Sequence, residues 1–307
     1  MRIGVIDIGT NTVLLLICDI DASGMRRVLH DEQRFARVGQ QVDALRLIST
    51  DAFDRCAVIL ADYVAMARAA GVARLVATGT SAIRDAVNRD SFLAAMSARC
   101  EVDIEVLSGD DEAILTFRGA VSGFPSDPTA RYAVLDIGGG STELAIGSEH
   151  HLDAHLSMDI GCVRMTEQFL HHAPPLPEEH AALRDALRHT VRGFPDFEAA
   201  TTTLVAVAGT ATSLAAIDLG VERIDDPAVA GHTLARTRVH ELVALLRPLT
   251  NDALISRYHV DPGRADILLA GLMILQSIMD ARAVDHVHIS GRGLRYGVAL
   301  REASHGS

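Results

Sequence analysis

Two stretches of the chain repeat one arrangement of residues able to bind phosphate and a metal ion. R-I-G-V-I-D-I-G-T-N at 2–11 and R-Y-A-V-L-D-I-G at 131–138 each run an apolar segment into an aspartate, Asp7 or Asp136. A turn of small residues follows, Gly9, Thr10, Asn11 and Thr12 in one copy and Gly138, Gly139, Gly140 and Ser141 in the other, and then another apolar run. Glycine lets a ligand approach the backbone closely. Successive backbone N–H groups with hydroxyl side chains can cradle phosphate oxygens, and aspartates supply the hard oxygen ligands that Mg²⁺ takes. Two such hairpins facing one another would grip a polyphosphate-bearing ligand from both sides. A single copy reads equally well as an ordinary glycine-turned hairpin; the recurrence of the same Asp, Gly and hydroxyl order favours a site.

Gly79-Thr80-Ser81 and Gly209-Thr210-Ala211-Thr212 each precede a helical pattern. Both are candidate anion sites at helix N-termini, although Gly-Thr is also an ordinary way to begin a helix. Arg84 sits one turn into the first of these helices, where its fork can reach a phosphate. The alternative, a surface ion pair, is disfavoured, because Asn88 stands four residues on and Asp85 does not share its face. The acidic cluster S-G-D-D-E-A at 108–113 opens another helix. Read alone, it places carboxylates at the positive end of a helix dipole; beside a phosphate site it would supply a general base that activates water.

Short β-branched runs alternating with longer helical patterns make the chain an α/β protein. Strands are expected at 3–6, 13–17, 75–77, 102–107, 132–135, 142–146, 204–208 and 287–289. Helices are expected at 50–70, capped by Thr50 or Ser49 and stopped by Gly71, at 110–121, and at 263–281. The segment G-F-P-S-D-P at 123–128 breaks every regular pattern and is the expected linker. A repeat spaced at nearly half the chain implies two similar lobes rather than a solenoid, whose period would be about 20–50 residues. The division is 1–122 and 123–307, with the last helix able to pack back on the first lobe.

The 307 residues, 49% hydrophobic and 22% charged, suit two folded domains rather than disorder. A net charge of -12 argues against non-specific binding to nucleic acid or an anionic membrane. All 28 basic residues are arginine, which excludes a P-loop lysine and a Schiff-base lysine. Cys18, Cys56, Cys100 and Cys162 form no C-x-x-C pair, a usage that fits a reducing cytoplasm without structural zinc or disulfides. No stretch resembles a signal peptide, and the apolar segment near Ile267–Met279 falls short of the roughly 20 residues that cross a bilayer.

With these motifs in view, the sequence resembles the exopolyphosphatase and guanosine pentaphosphate phosphatase (Ppx/GppA) family. The resemblance rests on D-I-G-T-N at 7–11, A-T-G-T-S-A-I-R-D-A at 77–86, L-S-G-D-D-E-A at 107–113 and L-D-I-G-G-G-S-T-E-L at 135–144, continuing with D-I-G-C-V-R at 159–164, V-A-G-T at 207–210, R-A-D-I-L at 264–268 and G-L-R at 293–295. The glycine turns alone would also suit actin, sugar kinases or chaperone ATPases; the acidic and G-C-V-R segments in this order are much more specific to the phosphatases. The resemblance implies an actin-like fold, two ribonuclease-H-like lobes with an active site in the cleft between them.

It also implies roles. Glu112 matches the catalytic carboxylate and Arg84 a phosphate-contacting arginine. Asp136 and Asp7 match metal-linked aspartates, with Mg²⁺ as cofactor. Gly138 to Ser141 match the phosphate loop, and Gly9 to Thr12, Gly209 and Thr210 stand beside them as the candidate phosphate-binding residues read above. The substrate would be polyphosphate or guanosine pentaphosphate, and the assembly a homodimer. Asp111 where glutamate is common, Tyr296 where an acid is usual and Thr233 after His232 depart from the pattern and bear on substrate preference. An alarmone-binding protein with little turnover, or an actin-like ATPase or sugar kinase, are the competing readings. Arg164 and Arg295 are open between ligand contact and capping or ion pairing, while His286 and His288, alternating on a strand, lack a third metal ligand.

Overall fold

The computed structural model describes residues 1–21 and 24–305. In chain order the elements are β1 (Arg2–Ile8), β2 (Thr12–Asp21), β3 (Gly24–Phe35), α1 (Val42–Leu45), α2 (Thr50–Ala69), β4 (Arg74–Gly79), α3 (Ser81–Asp85), α4 (Arg89–Cys100), β5 (Ile104–Val106) and α5 (Gly109–Val121). They continue with β6 (Arg131–Ile137), β7 (Thr142–Gly147), β8 (Leu152–Met158), α6 (Cys162–Phe169), α7 (Pro177–Thr190), β9 (Thr202–Val207), α8 (Ala208–Leu219), β10 (Thr233–Ala235), α9 (Arg236–Leu246), α10 (Asn251–Tyr258), α11 (Leu268–Ala281), β11 (His286–Ile289) and α12 (Leu294–His305).

The chain forms two compact units. The first comprises residues 1–119 and 294–307, the second residues 120–293. Relative to a division at 122/123, the C-terminal helix α12 joins the first unit, because Leu294, Tyr296, Val298 and Ala299 pack on Ile3, Val5, Leu16 and Cys18 of the first sheet. Arg301 of that helix also pairs with Glu105 and Glu302.

The first sheet runs β3-β2-β1-β4-β5. β1, β2 and β3 form an antiparallel meander, and β4 and β5 add in parallel on the other side of β1. In β1, Ile3 and Val5 point into one core and Ile6 and Ile8 into the other, as the two-residue period of a strand requires. Both faces are covered, so β1 and β2 read as nearly continuous apolar runs. The second sheet runs β10-β11-β9-β6-β7-β8. Taken from β8, its order and strand directions repeat those of the first sheet, with β10 as an added edge. The sequence repeat is thus a repeat of topology, and each unit carries the strand order of a ribonuclease-H-like lobe. The apolar α11 lies in the second core, with Leu272, Ile274, Leu275 and Met279 buried.

Several boundaries move. The expected helix at 263–281 begins at Leu268, because Asp261 accepts from the backbone of Gly263 and Arg264 and holds that stretch in a turn. Ala208 opens α8 instead of ending a strand. The twelve-residue β3 carries so many charges that no strand pattern stands out in its sequence. Among the described residues no helix is long and apolar enough to cross a membrane.

Candidate active site

The two turns share a register. Ile8 pairs with Val13 and Asp7 with Leu14; Ile137 pairs with Thr142 and Asp136 with Glu143. The Gly9 N–H donates to the Thr12 carbonyl at 2.9 Å, and the Gly138 N–H to the Ser141 carbonyl at 3.0 Å. Asp7 and Asp136 are 7% and 9% exposed, held near the ends of buried strands by the same geometry.

In the second unit the turn is backed by the D-I-G-C-V-R segment. The Gly138 carbonyl accepts from the Cys162 N–H at 2.9 Å, that of Gly139 from the Val163 and Arg164 N–H groups at 2.9 and 3.1 Å, and that of Gly140 from Arg164 Nε at 2.8 Å. A trans peptide points its C=O and the following N–H in opposite directions. Tying these carbonyls to α6 therefore turns the N–H groups of Gly139, Gly140 and Ser141 the other way, away from α6, as in a turn able to receive an anion. Gly161 is required here, since a Cβ on it would lie 2.2 Å from the Gly139 oxygen.

The first unit backs its turn with a different segment. Gly39 N–H donates to the Thr10 carbonyl at 2.8 Å and Arg37 N–H to that of Asn11 at 2.9 Å, which by the same argument turns the Asn11 and Thr12 N–H groups outward. Thr10 Oγ1 lies 2.9 Å from Ser81 Oγ, and the Thr80 N–H donates to the Ile8 carbonyl at 3.2 Å. The D-I-G-T-N and A-T-G-T-S motifs are thereby joined.

The acidic cluster divides its labour. Ser108 Oγ accepts from the Asp111 N–H at 3.1 Å and donates to the Asp111 carboxylate at 2.7 Å, closing the start of α5. Asp110 and Asp111 are exposed, whereas Glu112 turns inward and is 7% exposed. Arg84 Nη1 donates to Glu112 Oε2 at 3.1 Å and to the Leu107 carbonyl at 3.0 Å. Arg84 does form an ion pair, but with a residue on another element, where helical spacing could not reveal it.

Gly209 and Thr210 lie in the first turn of α8 and not ahead of it. Ala208 before them adopts a left-handed φ of 66°, a conformation that costs a residue with a Cβ. The buried Arg264 guanidinium lies against Gly209, and a Cβ there would come within 1.3 Å of Nη1. Burial lowers the Arg264 pKa, opposed by the nearby Cys162 and Asp261. Burial also pushes the Cys162 thiol up to about 11, against the Thr210 hydroxyl that meets it, so the thiol stays protonated and unreactive at neutral pH.

Glu143, which the motifs name only in passing, is 2% exposed and stands directly across from Asp136. Its Oε1 accepts from Ser157 at 2.7 Å. Cross-strand partners share a face, so the second unit presents two buried carboxylates where the first presents Asp7 opposite Leu14. Among the described residues no three His, Cys, Asp or Glu side chains are grouped to hold a metal ion. An oxygen-only pair still fits Mg²⁺, which keeps several waters and takes one or two carboxylates plus substrate phosphates.

Two arginines left open by the sequence find partners. Arg164 holds the Gly140 carbonyl. Arg295 pairs with Asp31 at 2.6 Å, joined by the Tyr296 hydroxyl at 2.7 Å, and so secures α12 within the first unit. His288 Nδ1 meets the Thr233 hydroxyl at 3.0 Å.

The family model described as the Ppx/GppA phosphatase family matches residues 16–305. The chain is 35% identical over 315 residues to exopolyphosphatase 2 of Mycobacterium tuberculosis, covering 97% of this chain and 98% of that one. It is 30% identical over 311 residues to exopolyphosphatase 1 of Mycobacterium bovis, covering 98% and 88%. A crystal structure described as an exopolyphosphatase-like protein superimposes with a TM-score of 0.92 at 28% identity, covering both chains fully.

Proposed function

Since this chain belongs to the Ppx/GppA phosphatase family, we propose that it is an exopolyphosphatase that removes the terminal phosphate of inorganic polyphosphate, with guanosine pentaphosphate as a second substrate. The observation that carries this reading is the pairing of the buried Glu112 with the half-buried Arg84 in the first unit.

Glu112 orients a water and takes its proton as the water oxygen bonds to the terminal phosphorus. The anhydride P–O bond breaks on the opposite side, and its electron pair leaves with the shortened chain. Catalysis of this kind is mainly positioning and charge stabilisation. Arg84 spends only Nη1 on Glu112 and Leu107; of the five N–H donors on a guanidinium, those on Nε and Nη2 are the ones to meet phosphoryl oxygens. The N–H groups of Gly139, Gly140 and Ser141, and those of Asn11 and Thr12, take anionic oxygens. Gly209 and Thr210 shape the adjoining turn. When bound, Mg²⁺ would be held in the second unit by Asp136 with Glu143 and would neutralise charge on the phosphate oxygens; Asp7 is the corresponding carboxylate of the first unit.

The test is phosphate release by the purified protein with Mg²⁺, comparing long polyphosphate, tripolyphosphate, guanosine pentaphosphate and ATP. Preference for polyphosphate is expected. Release from none of them, with guanosine pentaphosphate bound intact, would replace this reading with that of an alarmone-binding protein.

A further inference from the structure

Asp136, Glu143 and Ser157 form one row across three strands of the second sheet. Asp136 of β6 pairs with Glu143 of β7, and Glu143 with Ser157 of β8. Directly paired residues lie on the same face. Leu135, Ile137, Leu144 and Leu156, their sequence neighbours, turn to the opposite face and pack in or against the core, as strand alternation requires. Ser157 Oγ donates to Glu143 Oε1 at 2.7 Å. The sheet order ends at β8, so the row ends on this hydroxyl. The equivalent row of the first unit is Asp7, Leu14 and Gln33. A hydroxyl on the third strand therefore accompanies the second carboxylate, and neither stands in the row where leucine takes its place.

A glutamate reaches its target through three side-chain torsions, the last of them soft. Carboxylates directly across two strands repel one another. A divalent cation that takes an oxygen from each reverses that sign, provided both are turned to the same point. A serine hydroxyl has one proton to donate, and Ser157 commits it to Glu143 Oε1, which fixes the rotation of the carboxylate.

Ser157 is itself held in place. Met158 pairs with Thr142, the Thr142 hydroxyl donates to the Ile160 carbonyl, and the Ile160 N–H donates to the Met158 carbonyl at 2.7 Å. From Ile160 the chain enters Gly161 and the N–H groups of Cys162, Val163 and Arg164 that back the phosphate turn. One segment thus holds the turn and delivers the hydroxyl to Glu143.

We propose that Ser157 is a positioning residue for a divalent cation. Its hydrogen bond to Oε1 orients Glu143 so that Oε2 and the Asp136 carboxylate ligate the ion together, while Ser157 touches neither ion nor substrate. This rests on the metal reading above, and its test reads metal binding in the substrate-free protein.

Mn²⁺ takes the same hard oxygen ligands as Mg²⁺, and electron paramagnetic resonance counts the bound ion directly. Ser157→Ala is expected to weaken Mn²⁺ binding about tenfold, the scale of losing the hydrogen bond that supports a metal ligand. The Mg²⁺ concentration for half-maximal phosphate release should rise by the same factor, with the rate recovered at saturating Mg²⁺. Ser157→Thr keeps the hydroxyl on a strand-favouring side chain and restores most of the affinity. In a Glu143→Gln background, Ser157→Ala brings no further loss. Unchanged Mn²⁺ affinity in Ser157→Ala overturns the proposal. So does a melting temperature lowered equally with and without Mn²⁺, which a purely structural hydrogen bond would give. Glu143→Gln separates this role from the reading beneath it. If that variant binds Mn²⁺ as the parent does, the carboxylate pair does not hold the ion, and the metal reading falls together with the role of Ser157. If it binds weakly while Ser157→Ala binds normally, the metal reading stands and Ser157 alone is removed.

Discussion

Arg84 Nη1 bridges Glu112 Oε2 and the Leu107 carbonyl at 3.1 and 3.0 Å. One nitrogen thus ties the helix after β4 to both the end of β5 and the first turn of α5. The bridge orients the carboxylate and leaves the rest of the guanidinium for another anion. With Glu112 as the proposed base and Arg84 as the proposed phosphate-binding cation, the two would stand in fixed relation before any substrate arrives, which would remove part of the ordering cost from the reaction itself.

Glu112→Gln keeps an oxygen acceptor for Arg84 but cannot take a proton. Turnover of polyphosphate is expected to fall by about 10²–10⁴, while calorimetric binding of the same substrate stays within a few-fold. Exchanging the charged pair for a neutral hydrogen bond should cost about 1 kcal/mol in urea denaturation. Full activity in this variant would remove Glu112 from the role of base.

Arg84→Met separates the structural part of the bridge from the catalytic part. It leaves the buried Glu112 carboxylate without its cation, a loss of about 1–3 kcal/mol for a partly exposed pair. Adding Glu112→Gln to Arg84→Met should restore part of that stability, giving a positive coupling in a double-mutant cycle, yet leave activity abolished. Purely additive effects would show that the two side chains do not act on one another.

The duplicated topology was legible because both copies of the hairpin keep the same order of apolar run, aspartate and small residues, and buried strands must stay apolar on both faces. β3 was not, since the exposed Arg26, Arg27, Asp31, Glu32 and Arg34 fall on both of its faces and erase the alternation of a half-buried strand. Glu112 was singled out through resemblance, and only burial separates it from Asp110 and Asp111. The partner of Arg84 escaped because local spacing tests one helix at a time, while the pair spans 28 positions. Glu143 could have been found by counting back from the turn: if Ile137 faces Thr142, then Asp136 faces Glu143. Arg264 against Gly209 had no such signal, because a backbone approached by a distant side chain leaves no local period.

The carboxylate pair of the second unit leads to an asymmetric expectation for metal. Chelation should abolish phosphate release, and added Mg²⁺ should restore it. Asp136→Asn and Glu143→Gln should each raise the Mg²⁺ concentration needed for half-maximal activity by about tenfold or more. Asp7→Asn, with Leu14 as its cross-strand neighbour, should raise it less. The opposite ranking would place the metal with the first turn.

Acid stability is expected to depend on Glu179. Its carboxylate accepts from His172 at 2.8 Å and from the His171 and Leu176 N–H groups at 3.1 and 2.9 Å. The His172 hydrogen bond, with help from those N–H groups, lowers its pKa from 4.5 to about 2. The folded protein therefore binds this proton less readily than the unfolded chain. The stabilisation is fully present above pH 4.5 and is lost as pH falls toward 2. Glu179→Gln should lower the melting temperature at pH 6 and flatten its fall between pH 4.5 and 2. A variant melting curve parallel to that of the parent across this window would dissociate Glu179 from acid unfolding.

Gly209 offers the sharpest steric test. A Cβ at this position would lie 1.3 Å from Arg264 Nη1 and 1.9 Å from Cζ, so Gly209→Ala must displace a guanidinium that is only 7% exposed. Overpacking of this kind typically costs about 1–3 kcal/mol, and the displaced cation would also lose its place beside Cys162. Truncating the obstacle separates the two consequences. In Gly209→Ala/Arg264→Ala the clash is gone, so stability should recover toward that of Arg264→Ala alone, while phosphate release stays low if the guanidinium itself is needed at this turn. Equal activity in Arg264→Ala and the parent protein would assign the buried arginine to packing of α8 and nothing more.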